Sequence, residues 1–61
     1  MKSSELLRIL KRDGWYVISQ RGSHIKMVHH EKKNVIYIPY HGAKEVGKGL
    51  ERKILKAAGI L

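Results

Sequence analysis

Sixty-one residues suffice for one small domain, here with 13 Lys and Arg against 5 Asp and Glu and a net charge of +8. The absence of cysteine removes disulfides and thiolate metal sites, and no apolar run reaches the about 20 residues of a membrane span or the about 7 of an export signal's apolar region. The expectation is a soluble cytoplasmic protein that binds no membrane and whose positive field attracts polyanions, nucleic acid first.

In chain order, "SSELLRILKRDG" predicts a helix. Ser3 or Ser4 is placed to cap it, Glu5 suits the positive end of its dipole, and Lys11 and Arg12 suit the negative end. Leu6, Leu7, Ile9 and Leu10 form its apolar stripe, and Gly14 supplies a left-handed stop. "WYVIS" predicts a strand, "QRGS" a turn in which Gly22 takes positive φ, and "HIKMVHH" a second strand. "EKKN" is a polar hairpin loop and "VIYIP" a third strand ended by Pro39. The glycine-rich "YHGAKEVGKG" leads to a last helix, "LERKILKAA", with Leu50, Ile54, Ala57 and Ala58 as its buried side. Gly59 and Ile60 suit a Schellman ending against Leu55.

The order helix, three strands, helix, with short connections between strands, predicts an α+β domain spanning residues 1–61. Its three-stranded antiparallel sheet carries both helices on one face. Alternation along the second strand then puts Ile25 and Met27 under the helices and His24, Lys26, Val28 and His30 on the open face. Val17 with Ile18, and the run Val35 to Ile38, put apolar groups on both faces, more than a face left to water requires.

Four histidines invite a metal reading, but geometry weakens it. His29 and His30 are adjacent on a strand and point apart, and His24 and His30 lie about 20 Å apart at roughly 3.3 Å per residue. His41 is free to approach His24, yet two ligands unsupported by Cys, Asp or Glu make a poor site, so neither metal nor cofactor is expected. A Ser–His–Asp triad does not assemble either: Ser23 and His24 splay apart, and the only aspartate, Asp13, ends the first helix.

General base catalysis on RNA needs less, because the substrate carries its own 2′-hydroxyl nucleophile. A neutral imidazole can take that proton while nearby cations hold the phosphate, and His24 between Arg21 and Lys26 supplies these groups. A histidine in a basic strand is more often a plain surface residue. The blander readings hold elsewhere: Trp15, Tyr16 and Tyr37 as packing residues, and Lys32 with Lys33 as a solvated hairpin tip. "GAKEVGKG" lacks phosphate-loop spacing, although its backbone N–H groups are placed to face a phosphate at the helix start.

Taken together, "SSELLRILKRDGW", "RGSHIKM", "IYIPYHG" and "ILKAAGI" resemble the HicA toxins of bacterial toxin–antitoxin pairs, in order and over nearly the whole chain. The resemblance implies a double-stranded-RNA-binding-domain-like fold and a metal-independent endoribonuclease, an mRNA interferase. Its catalytic histidine falls on His24 and its turn glycine on Gly22, with Ser23 closing the turn. Arg21, Lys26, His41, Lys44 and Lys48 become the candidate RNA contacts. The implied partners are mRNA and a HicB-type antitoxin covering the His24 face, as a homodimer or a heterotetramer with the antitoxin. Many members carry a capping Thr in a G-T-L at the last helix, where this chain has Leu50. A non-catalytic RNA-binding module of the same fold, and a protein-interaction subunit with an acidic partner, are the alternatives.

Overall fold

The computed structural model describes all 61 residues and has the expected order: α1 (Ser3–Arg12), β1 (Trp15–Arg21), β2 (His24–His29), β3 (Ile36–Pro39) and α2 (Lys48–Ala57). The strands form one antiparallel sheet, β1-β2-β3, with β2 central. Buried strand residues alternate onto one face: Ile25 and Met27 from β2, Ile36 and Ile38 from β3, and Trp15 from β1. With Leu6 and Leu10 of α1, Val46, and Ile54, Leu55 and Ala58 at the α2 end, they make one core. Both helices therefore cover the same face, and no helix is long and apolar enough to cross a membrane.

Three details depart from the sequence expectation. Neither Ser3 nor Ser4 caps α1. The N-cap is Lys2, whose backbone N–H donates to the Glu5 carboxylate at 3.2 Å. The carbonyls of Lys44 and Gly42 accept the Ser3 and Ser4 N–H groups at 3.0 Å each. The loop before α2 thus satisfies donors that a serine side chain was expected to satisfy, and Ser3 is left buried.

The second departure is at α2, which starts at Lys48 after an N-cap at Gly47. Leu50 is therefore the third helical residue rather than a cap. Its buried side is Ile54, Leu55 and Ala58; Leu50 and Ala57 are exposed. They line a groove of about 290 Å³ with Val35, Tyr37 and Lys53 at the β3 edge. The predicted Schellman ending is present: Gly59, at φ 75°, donates its N–H to the Lys56 carbonyl at 3.1 Å, and Ile60 donates to Leu55 at 3.0 Å.

The third is Lys32, expected in water at a hairpin tip. It is half-buried and donates to the Asp13 carboxylate at 2.6 Å and to the Ala58 carbonyl at 2.7 Å, with its ammonium 5.9 Å from the Trp15 ring centre. Asn34 donates its side-chain amide to the Ala57 carbonyl. The long loop after β2 folds back because it can satisfy the carbonyls that end α2, and this joins the C-terminal ends of both helices.

Candidate active site

Gly22 and Ser23 join β1 to β2 in a two-residue turn, and only Gly22 has positive φ, at 59°. That is the type II′ pattern, which matches the twist of the flanking strands. A Cβ on Gly22 would touch nothing, so the demand for glycine is purely one of backbone angle. Two hydrogen bonds fix the turn to its surroundings. Gln20 donates its side-chain amide to the Gly22 carbonyl at 3.0 Å, and the Tyr40 N–H donates to the Ser23 carbonyl at 2.6 Å.

The next residue is His24, exposed, on the face opposite the helices. Its neighbours come from the register. Arg21 is its direct partner on β1 and Pro39 on β3; Lys26, two residues along β2, pairs with Ser19 and Tyr37. Directly opposed Cβ atoms lie about 4.5–5.5 Å apart. Ser19, Gln20, Arg21, His24, Lys26 and Tyr37 together line a recess of about 450 Å³. None of the six is acidic, so two cations set the field around the imidazole.

Arg21 reaches this face only through an irregularity in β1. Trp15 and Val17 pair with His29 and Met27 on the helix side, and strict alternation would put Arg21 there as well. A bulge between Val17 and Ser19 leaves Ile18 without a partner, so that Ser19 meets Lys26 and Arg21 meets His24. Bulges commonly re-aim side chains next to sites. The sequence shows no sign of this one, since "VISQ" has neither glycine nor proline to mark it.

Of the residues singled out from sequence, the structure brings Arg21, His24 and Lys26 together, with Gly22 and Ser23 as their turn. His41, Lys44 and Lys48 are exposed but do not line the recess. The Lys44 carbonyl instead serves the start of α1. Tyr37, expected to pack in the sheet, is 61% exposed and lines the recess beside Lys26. Ser19, Gln20 and Tyr37 were missed as site residues; strand parity on β3 would have found Tyr37.

His29, the last residue of β2, belongs to a different environment. Its Nδ1 accepts the Glu31 N–H at 3.0 Å, which leaves the proton on Nε2, donated to the Asp13 carbonyl at 2.6 Å. Its ring meets Trp15 edge-on at 5.3 Å. A Cβ on Gly14, at φ 105°, would come 2.7 Å from Nε2, so glycine there is required twice over. The Lys32 ammonium, hydrogen-bonded to Asp13, holds that carboxyl below the usual carboxylate range.

Comparison with known proteins adds two findings. The family described as HicA toxin of bacterial toxin-antitoxin matches residues 3–60. A protein of Pseudomonas fluorescens (strain Pf0-1) named "Probable mRNA interferase HicA" is 43% identical over 60 residues, covering 98% of this chain and 97% of that protein.

Proposed function

The chain belongs to the HicA toxin family, and from that premise we propose that it is an endoribonuclease acting on mRNA, the toxin of a toxin–antitoxin pair, with His24 as its general base. The observation that carries this reading is the recess that unites His24 with Arg21 and Lys26 on the open face.

The chemistry needs three things of the protein, and the recess supplies them. Arg21 and Lys26 seat the scissile phosphate and offset its growing charge. Holding that phosphate beside the neighbouring ribose brings the 2′-hydroxyl into line with it. His24 takes the 2′ proton as the oxygen attacks phosphorus and the bond to the 5′-oxygen breaks, leaving a 2′,3′-cyclic phosphate and a 5′-hydroxyl. No metal is required for this route. The leaving oxygen needs a proton, and Lys26, which lines the recess, can supply it. A HicB-type antitoxin seated over the same face would silence the site by covering it.

The test replaces the 2′-hydroxyl at the cleaved position with hydrogen. Wild-type protein should cut the all-ribose strand in chelator-treated buffer and leave the deoxy-substituted position whole. Cleavage at the substituted position would overturn the mechanism, and binding of RNA with no cleavage by the wild type would make the chain a binding module instead.

A further inference from the structure

The chain has four aromatic side chains of the Phe, Trp and Tyr kinds: Trp15, Tyr16, Tyr37 and Tyr40. Trp15 is in the core and Tyr40 packs half-buried against it. The other two, Tyr16 and Tyr37, are 41% and 61% exposed. Register puts both on the open face with His24: Tyr37 opposite Lys26, and Tyr16 opposite Val28. The fold thus buries one ring, half-buries a second and leaves two in water, both on the face of the candidate site.

Their neighbours matter as much as their exposure. Lys26 Nζ lies 6.0 Å from the Tyr37 ring centre, and His30 lies against Tyr16 with ring centres 4.9 Å apart, tilted 35°. Along β2 the open face therefore runs in rows about 7 Å apart. The first row has Arg21 with His24, the second Lys26 with Tyr37, and the third Tyr16 beside Val28, with His30 beyond. Cations for phosphates at the His24 end thus give way to rings for bases along the strand, with Lys26 and Tyr37 side by side between. An unpaired strand offers both at each nucleotide, whereas a duplex hides the faces of its bases and presents phosphates, sugars and groove edges.

We infer that Tyr37, with Lys26 beside it, forms a base-stacking subsite next to His24, and that Tyr16 with His30 forms a second one farther along β2. The RNA that reaches His24 is then single-stranded and crosses the open sheet face, not a duplex held by its shape. A tyrosine ring stacks on any base, so these subsites hold the strand without reading its sequence. The inference rests on the nuclease reading of His24.

The experiment uses His24→Ala protein, which keeps the RNA whole, and measures Kd for a short single-stranded RNA and for a duplex of equal length at several salt concentrations. Single strands should bind more tightly than the duplex. Tyr37→Ala should weaken single-strand binding about 5- to 150-fold while the slope of log Kd against log salt stays fixed, because no phosphate contact is lost. Tyr37→Phe should restore the affinity, and Lys26→Ala should lower the salt slope by about one ion. Unchanged affinity in Tyr37→Ala, a Phe variant as weak as Ala, or equal binding of duplex and single strand would overturn the subsite. If the wild type still cuts RNA in that case, the nuclease reading survives alone; if the wild type neither binds nor cuts RNA, both fall.

Discussion

His24 and His29 stand at the two ends of β2 and on opposite faces of the sheet. His29 has both ring nitrogens occupied, one by the Asp13 carbonyl and one by the Glu31 N–H, and a tryptophan against its edge. The His24 ring makes no hydrogen bond to the protein; it faces an open recess between two cations. The same residue type is thus spent in two ways on one strand. A ring whose nitrogens are both engaged by the backbone is held in one tautomer and fixes the fold. A ring whose nitrogens are free can accept a proton from a substrate, and it contributes little to stability.

The largest expected effect separates the two roles. His24→Ala should lower the RNA cleavage rate by about 10²–10⁴-fold, the range of a lost general base, with no loss of Tm. His29→Ala should do the reverse. It removes two hydrogen bonds, to the Asp13 carbonyl and from the Glu31 N–H, each worth about 0.5–1.5 kcal/mol, and the Trp15 contact with them, so the loss should be about 1–3 kcal/mol. In a domain of this size, whose whole stability is on the order of 3–9 kcal/mol, that is a large fraction and should lower Tm clearly. Cleavage per folded molecule, measured well below Tm, should stay at the wild-type level. A catalytically dead but stable His29→Ala protein would break the comparison.

The two glycines that precede these environments sharpen it further. Gly14 and Gly22 both have positive φ, but only Gly14 has a neighbour in the way. Gly22→Ala should cost about 1–2 kcal/mol, the price of a left-handed residue with a Cβ. Gly14→Ala carries a similar backbone cost and also drives a Cβ into His29 Nε2 at 2.7 Å, so it should be the more damaging by urea denaturation. Adding Gly14→Ala to His29→Ala should then cost less than the sum of the two, since the clashing ring is gone.

Much of the fold could be read from residues alone because local signals agreed. The stripe of α1, the alternation of β2 and the Gly22 turn each pointed to the same architecture. His24's face followed from counting parity from Ile25 and Met27. What escaped was set by long-range contacts. Ser3 gave up its capping role because a loop some 40 residues away supplies the carbonyls. Lys32 left the solvent because Asp13 and the end of α2 meet it there. Arg21 reaches His24 through a bulge that "VISQ" does not announce. Residues read in isolation made His24 one candidate among several, and it took the family resemblance of the sequence to favour it.

The smallest expected effect concerns acid. Asp13 is partly exposed, and its carboxyl is held low chiefly by the Lys32 hydrogen bond, with smaller help from the charge of Lys32. A carboxyl lowered in the folded state adds stability above its unfolded pKa and loses it as pH falls through the folded one. Tm should therefore decline as pH drops below about 4, with part of that decline owed to this pair. Asp13→Asn should flatten the acid limb and leave a lower Tm near neutrality. Lys32→Met should flatten it similarly, because it removes the cause of the shift while leaving the carboxylate. The recess of His24 holds no carboxylate, so Lys26→Met should leave the acid limb as it is. Should Lys26→Met flatten it as much as Lys32→Met does, the acid sensitivity would not belong to the His29 end of the sheet.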